Sequence, residues 1–392
     1  MRRMVRQSRN PGGSPRRAAV AVQVLVCSVV ILGMGALTID VGKLYVARSE
    51  LQRAADSAAL AGASVYVENA GLIQDPNLAQ IACERAQQFS LENWTQGAPT
   101  GLDGADVIAG ALDLTDPHGD LDTSGLQRFN AVQVLVRRTA GSANGSVAYS
   151  FARIFGYTDG GVVAGATAAL DDRFSGYTQT EQYGLLVPFT INKDTFAQML
   201  ASGPDDFSYD HPNDQVLPNP DGVREVDLYP YRQNADGGGN QGAGNFGLLN
   251  IGTGNQGDAV IEMQIREGVP PADLELEIGT SEIDFVDDYG QPETYNITGS
   301  PGLKTTLEDA VETRTGQIIG FFLHDLVTMS GQNAVYRIVG LRFGRVMHID
   351  LHGNPNDKRL VIQPVAYTGP GVIVSEDAPS SDGQVGRLRL VR

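Results

Sequence analysis

Residues Arg16–Tyr66 read RRAAVAVQVLVCSVVILGMGALTIDVGKLYVARSELQRAADSAALAGASVY, and this stretch organises the rest of the chain. From Ala18 to Ile39 there are 22 residues without a charge, and only Gln23, Ser28 and Thr38 are appreciably polar. A helix of that length spans about 33 Å, enough for the hydrocarbon core of a bilayer. Beyond Asp40 the pattern turns amphipathic and continues through Tyr66 without a proline. The spacing predicts one long helix, with a transmembrane half over 18–39 and an Ala-rich extension over 40–68.

On that extension Val41, Leu44, Leu51, Ala55, Ala58 and Gly62 fall near one face, interrupted by Arg48. The charges Asp40–Lys43 and Glu50–Arg53 stand at i,i+3 on the other side, where each pair adds only tenths of a kcal/mol. Small residues recur every fourth position as Ala54/Ala58/Gly62 and Ala55/Ala59/Ala63, which permits close approach of another backbone. Two uses are open: covering the chain's own body, or packing against other subunits. The adjoining membrane span tilts the reading to the second, with Val41, Leu44, Leu51, Ala55, Ala58, Ala59 and Gly62 as the packing set.

Charge placement orients the anchor. Arg2, Arg3, Arg6, Arg9, Arg16 and Arg17 precede the apolar run with no acid among them. The remainder carries 23 basic against 46 acidic residues, within a net charge of −17. Basic flanks mark the cytoplasmic side of a span, so the anchor reads as N-in, single-pass, with an acidic body beyond it. An acidic body is unsuited to nucleic acid, which needs a basic face. A cleaved secretory signal shares the arginines and the apolar core, but this run exceeds a signal core and lacks a small-x-small site before polar chain. Residues 1–17, rich in Arg, Gly, Pro and Ser, have nothing to bury and read as a disordered tail. Cys27 lies in the span and Cys83 in the body, which excludes a disulfide between them.

Along the body, Asp75 and Pro76 suit the start of a second helix with Leu78, Ile81, Ala82, Ala86 and Phe89 on its apolar side. Strands are expected at Ala105–Leu114, Phe129–Arg138 and Val162–Leu170, with a short helix over Val147–Phe155 stopping at Gly156. These make a small α+β unit over 69–170, followed by a polar linker at 171–182. A second, strand-rich α+β unit over 183–392 is expected to hold a strand at Tyr183–Ile191, a helix at Asp194–Ala201, a strand at Phe246–Ile251, an amphipathic helix at Asp258–Glu267 and a helix at Leu303–Arg314. Four closing strands fall at Gln317–Leu323, Ala334–Val339, Arg345–Leu351 and Arg359–Ala366.

The helical half resembles the Tad family, TadE/TadG-like proteins of Flp-type pilus systems. The matching residues are Asp40, Val41, Gly42, Lys43, Tyr45, Leu51, Gln52, Ala54, Ala55, Asp56, Ala58, Ala59, Leu60, Ala61, Gly62 and Ala63, with Ser57 where Ala is common. The run from Val132 to Ala169, with FARIFGY and AGATAAL, is similar to the family's first ectodomain, and GNFGLL and AVYRIVG more loosely resemble extended Tad-type ectodomains. The resemblance implies a non-enzymatic, inner-membrane component of pilus assembly or a related secretion apparatus, its body periplasmic, its partners other envelope proteins, with no cofactor or small-molecule substrate. It departs from processed pilins, which carry a Glu five residues into the mature apolar helix; here no acid precedes Asp40.

Other chemistry was weighed against this. Gly242–Gly247 satisfies GxGxxG but follows loop and opens a strand, whereas the dinucleotide fingerprint must open a helix. His348, Asp350 and His352 alternate on a strand and offer metal-ligating groups, which keeps a metal-dependent periplasmic enzyme in view, although same-face neighbours lie about 7 Å apart and a further ligand would be needed. Asp116/Asp120/Asp122 and Asp284/Asp287/Asp288 lack the EF-hand spacing for calcium. An anchored module binding surface polysaccharide or peptide through the C-terminal unit is the main alternative function.

Overall fold

The computed structural model describes residues 15–68, 77–125, 128–180, 184–229, 246–252, 257–287, 289–301, 304–330, 333–352 and 358–391. The architecture is α+β, led by the long helix α1 (Pro15–Glu68) and followed by α2 (Asn77–Glu92). Residues 1–14 of the N-terminal tail, the Asp75–Pro76 start of the second helix and most of the GxGxxG segment lie outside the described residues, while residues 15–17, expected in the disordered tail, open α1.

α1 is unbroken from apolar span to Ala-rich extension. Its glycines cost some helicity, but leucine and alanine, the strongest helix formers, surround them. Side chains from Val20 to Leu32 are exposed, in a helix long and apolar enough to cross a membrane. Further along the environment inverts: Ala47, Leu51, Ala54, Ala55, Ala58, Ala59 and Ala63 are fully buried.

Two compact units interleave along the chain. The first takes in residues up to Ala55, Phe89–Asp106 and Leu135–Gly165; the second takes in Asp56–Gln88, Val107–Val134 and Ala166–Arg392. The longer strands, in order, are β1 (Val107–Gly110), β2 (Ala131–Arg138), β3 (Val162–Asp171), β4 (Phe174–Thr178), β5 (Leu186–Asn192), β6 (Val226–Tyr229), β7 (Phe246–Leu249), β8 (Glu282–Asp284), β9 (Tyr295–Pro301), β10 (Ile318–Ser330), β11 (Asn333–Asp350), β12 (Arg359–Pro364), β13 (Val372–Val374) and β14 (Arg387–Leu390).

In the first unit a two-strand ribbon, Val147–Ala148 with Asp159–Gly160, carries a one-turn 3-10 helix, Ala152–Phe155, in its loop. Gly156 ends that turn at φ 91, a left-handed conformation that glycine adopts without steric cost. The expected helix over Val147–Phe155 is thus confined to its last four residues. The reason is long-range: the N–H groups of Ser150, Phe151 and Ala152 are taken by the Asp40 carboxylate.

In the second unit β14 pairs antiparallel with β3 and β1 with β2, with Leu388 opposite Leu170 and Ala109 opposite Val132. A larger sheet runs β6-β12-β11-β9-β7-β5-β10, and β10 also pairs with β11, so five of its strands close into a ring. Successive residues of β10 serve different cores: Phe321 and Leu323 pack with Phe189, Leu248 and Ile261, whereas Phe322 packs with Tyr336, Phe343 and Leu186. Burial on both faces explains why this strand reads as a continuous apolar run. The Lys193–Ser202 helix is capped locally: Asn192 Oδ1 accepts from Asp194 N at 3.0 Å and Thr195 N at 3.2 Å.

Several expectations are corrected here. The strands at Ala334–Val339 and Arg345–Leu351 are parts of the single strand β11, 18 residues long. Between them, Gly344 sits where a Cβ would meet Gln363 O at 3.1 Å, so it serves close strand approach. The expected helix Leu303–Arg314 reduces, among described residues, to a 3-10 turn at Thr305–Leu307 and the short helix Glu308–Glu312. A helix at Pro271–Ile278 was not foreseen.

The linker expected at 171–182 is, as far as it is described, folded. β4 lies inside it, and Asp171 and Asp172 are buried. Asp171 accepts from Arg173 Nε and Nη2, each at 2.9 Å, and from Arg389 Nη2 at 2.7 Å. Asp172 pairs with Arg128 and accepts from Ser380 Oγ at 2.6 Å and Gly383 N at 3.0 Å. Acidic, polar sequence resembled a spacer because two of its cationic partners, Arg128 and Arg389, are distant in the chain. The boundary placed between 170 and 183 is correspondingly absent: β14 completes the sheet of β3.

Candidate functional site

Asp40 is the first charged residue after the apolar run, and it is 1% exposed. Its carboxylate accepts three backbone hydrogen bonds, from Ser150 N at 2.7 Å, Phe151 N at 2.9 Å and Ala152 N at 2.6 Å. The neighbouring turn binds the same ribbon, since Lys43 Nζ donates to Ser150 Oγ. Burial pushes the Asp40 pKa up, but the three N–H groups and the Lys43 charge outweigh it and hold the carboxyl below its ordinary value.

The i,i+3 pairs expected on the helix surface are therefore reassigned. Asp40 turns to the 150–152 backbone, and Glu50 Oε2 accepts from Gln96 N at 2.8 Å. Gln52, another signature residue, donates from Nε2 to Gly165 O at 3.0 Å. Gly42 has open space at its Cβ position, and Tyr45 is 72% exposed. Asp56 is half-buried.

The small-residue ladder is spent within the chain. Ala55, Ala58 and Ala59 are fully buried, as is Leu51. A Cβ on Gly62 would meet Ala82 O at 2.9 Å, Val132 Cγ1 at 3.0 Å and Ala86 Cβ at 3.1 Å, so this glycine lets α1 approach α2 and β2 within the second unit. Of the expected packing set, only Val41 is exposed and Leu44 half-exposed. The other five are closed to a partner subunit. Fourfold spacing of small residues reports a close neighbour without saying whose backbone it is. On α2, Leu78, Ala82 and Ala86 are buried, while Ile81 and Phe89 face outward.

The strand-borne histidines separate. His348 stacks on Phe207, ring centroids 5.5 Å apart. His352 Nδ1 lies 3.0 Å from Glu308 Oε2 and 3.8 Å from Asp350 Oδ1. Glu308, Asp350 and His352 bring one ligand atom each within 4.8 Å of the others, so Glu308 replaces His348 in the only trio of this kind among the described residues. Asp350 and His352 are exposed, and nothing beyond proximity points to a metal.

The sequence missed the partner of Asp40. A carboxylate at the very end of an apolar run was the available signal; the complementary SFARIFGY segment lies 110 residues away.

A helix of membrane-spanning length runs into an α+β body, and the first charge after its apolar run is buried against that body's backbone. Residues 19–65 match the family described as Putative Flp pilus-assembly TadE/G-like, and residues 44–168 match Putative Tad-like Flp pilus-assembly. The resemblance to the Tad family is therefore shown, and the chain carries Tad-family, Flp pilus-assembly sequence across residues 19–168. Both matches end before the large sheet begins. No curated protein and no solved structure matches the chain.

The clamp makes a pH-dependent prediction. A carboxylate whose folded pKa is depressed contributes its stabilisation above the unfolded value of about 3.9 and loses it as pH falls through the lower folded value. Amide exchange at Ser150, Phe151 and Ala152 should stay slow at neutral pH and accelerate, relative to its intrinsic rate, only below about pH 4. Asp40→Ala should accelerate it by roughly ten- to a hundredfold already at neutral pH. Unchanged protection in that variant would show that the ribbon is held by something else.

Proposed function

We propose that this chain is a non-enzymatic, inner-membrane-anchored component of a Tad/Flp-type pilus assembly or related secretion apparatus. The family match over residues 19–168 carries the reading, supported by the buried Asp40 clamp that joins both matched segments. The apolar half of α1 is the anchor, N-in by the arginines before it, and the acidic body lies on the periplasmic side. Helix and body are coupled at Asp40, Lys43 and Gln52, so the ectodomain surface is presented from a fixed point on the anchor. Contacts with other envelope proteins then fall to exposed surface, including Val41 of the expected packing set, and not to the buried ladder.

Two measurements test this. Alkaline phosphatase fused after Arg392 should be active, because the body is exported; activity confined to a cytoplasmic reporter at that position would reverse the topology. Full-length chain captured from crosslinked native membranes should bring pilus-assembly envelope proteins with it. Retention on cell-wall polysaccharide with no such protein captured would replace this reading with that of an anchored binding module.

A further inference from the structure

The loop between the paired segments Val147–Ala148 and Asp159–Gly160 presents its apolar side chains outward. Ile154 is 80% exposed, Phe155 71% and Tyr157 68%, with Phe151 also exposed. Four large apolar or aromatic residues within seven positions are costly to leave in water, and a contiguous exposed cluster of this kind marks an interaction surface. Arg153, exposed in the same turn, adds a cation.

The position of the cluster identifies what covers it. Asp40 directly follows Ile39, the last residue of the apolar run, and its carboxylate holds the N–H groups of residues 150–152 at 2.6–2.9 Å. A 3-10 helix rises about 2 Å per residue, so Ile154 and Phe155 stand within about 10 Å of the end of the span. Comparing the full bilayer with its hydrocarbon core leaves an interfacial layer of roughly 5–8 Å on each side. The loop is thus held at the level of that layer by its own clamp. Its composition suits the place: Tyr157, an aromatic ring with one polar end, favours the headgroup region, Ile154 and Phe155 favour the acyl boundary beside it, and Arg153 there meets lipid phosphate.

We propose that Phe151–Tyr157 is a second membrane contact, a lipid-interface wedge that dips Ile154, Phe155 and Tyr157 into the leaflet from which the span emerges. It rests on the anchor reading above and goes beyond it, because it gives the ectodomain its own contact with lipid. The contact fixes the first unit at two points on the membrane, the span and the wedge, and restricts its rotation about the helix axis. A partner protein covering the same residues is the competing outcome.

Depth-dependent quenching tests it on the full chain in nanodiscs containing phosphatidylcholine brominated at defined acyl positions. In a Trp94→Phe background, which removes the single native tryptophan, Phe155→Trp and Tyr157→Trp are made separately, with Val30→Trp as the probe of the span. Both loop probes are expected to emit at shorter wavelength than exposed tryptophan and to be quenched most by shallow bromines, as for residues about 5–10 Å into the interface. Val30→Trp should be quenched most by deep bromines. If Val30→Trp is quenched and neither loop probe is, the wedge is refuted while the anchor stands. If Val30→Trp escapes quenching, the anchor fails and the wedge with it. Blue-shifted loop emission without quenching assigns the cluster to a protein contact and also overturns the proposal.

Discussion

Asp171→Ala is expected to destabilise the second unit by about 3–5 kcal/mol, the usual cost of removing one partner from a buried ion pair. The carboxylate is 1% exposed and accepts from Arg173 on its own strand connection and from Arg389 on β14. Without it the Arg173 guanidinium, with only about a tenth of its side chain exposed, keeps the desolvation penalty and loses its bidentate acceptor. Denaturant unfolding of the detergent-solubilised chain would measure the loss. Amide exchange should show Arg387–Leu390 detaching first, since Arg389 loses its anchor. A shift below about 0.5 kcal/mol, typical of surface substitutions, would mean that the three-residue cluster is not structural.

The second large effect is expected from Gly62→Leu. Even a methyl group at this position meets Ala82 O, Val132 and Ala86 at 2.9–3.1 Å, and overpacking of that order costs about 1–3 kcal/mol, with a longer side chain at or beyond the upper end. Ala58→Leu, at a fully buried position, should act in the same direction. The exposed Tyr45 provides the contrast, and Tyr45→Ala should leave stability within about 0.5 kcal/mol. This bears on how partner contacts are tested. Loss of crosslinking in a Gly62 or Ala58 variant would report damage to the chain's own fold, so substitutions at exposed positions are the informative ones. If Gly62→Leu unfolds like the unmodified chain, the close approach of α1 to α2 and β2 is not what the glycine serves.

These two sites also show where the sequence is legible and where it is not. The α+β class, the long helix and the helices at Asp258–Glu267 and near Asp194–Ala201 follow from local rules: period, caps and the absence of proline. What local rules cannot supply is the identity of a distant partner. Asp40, Asp171 and Asp172 are acids whose sequence neighbours suggest solvent, yet each is buried by groups from elsewhere in the chain. Ala54–Ala63 announces tight packing without naming the other side. The metal reading at His348, Asp350 and His352 followed the strand's alternation. It missed both the irregular register between Val346 and His348 and the approach of Glu308 from another element.

The pairing of β14 with β3 has a consequence for the order of assembly. A chain synthesised from its N-terminus delivers β1, β2 and β3 well before Arg387–Leu390. Until those residues arrive, β3 presents an open edge, with backbone donors and acceptors available to any other strand. Its burial is therefore a late step that waits on the whole of the large sheet being delivered. Synthesis that stalls before Arg387 should leave a species prone to pairing with its own copies, and a holdase would find its substrate there.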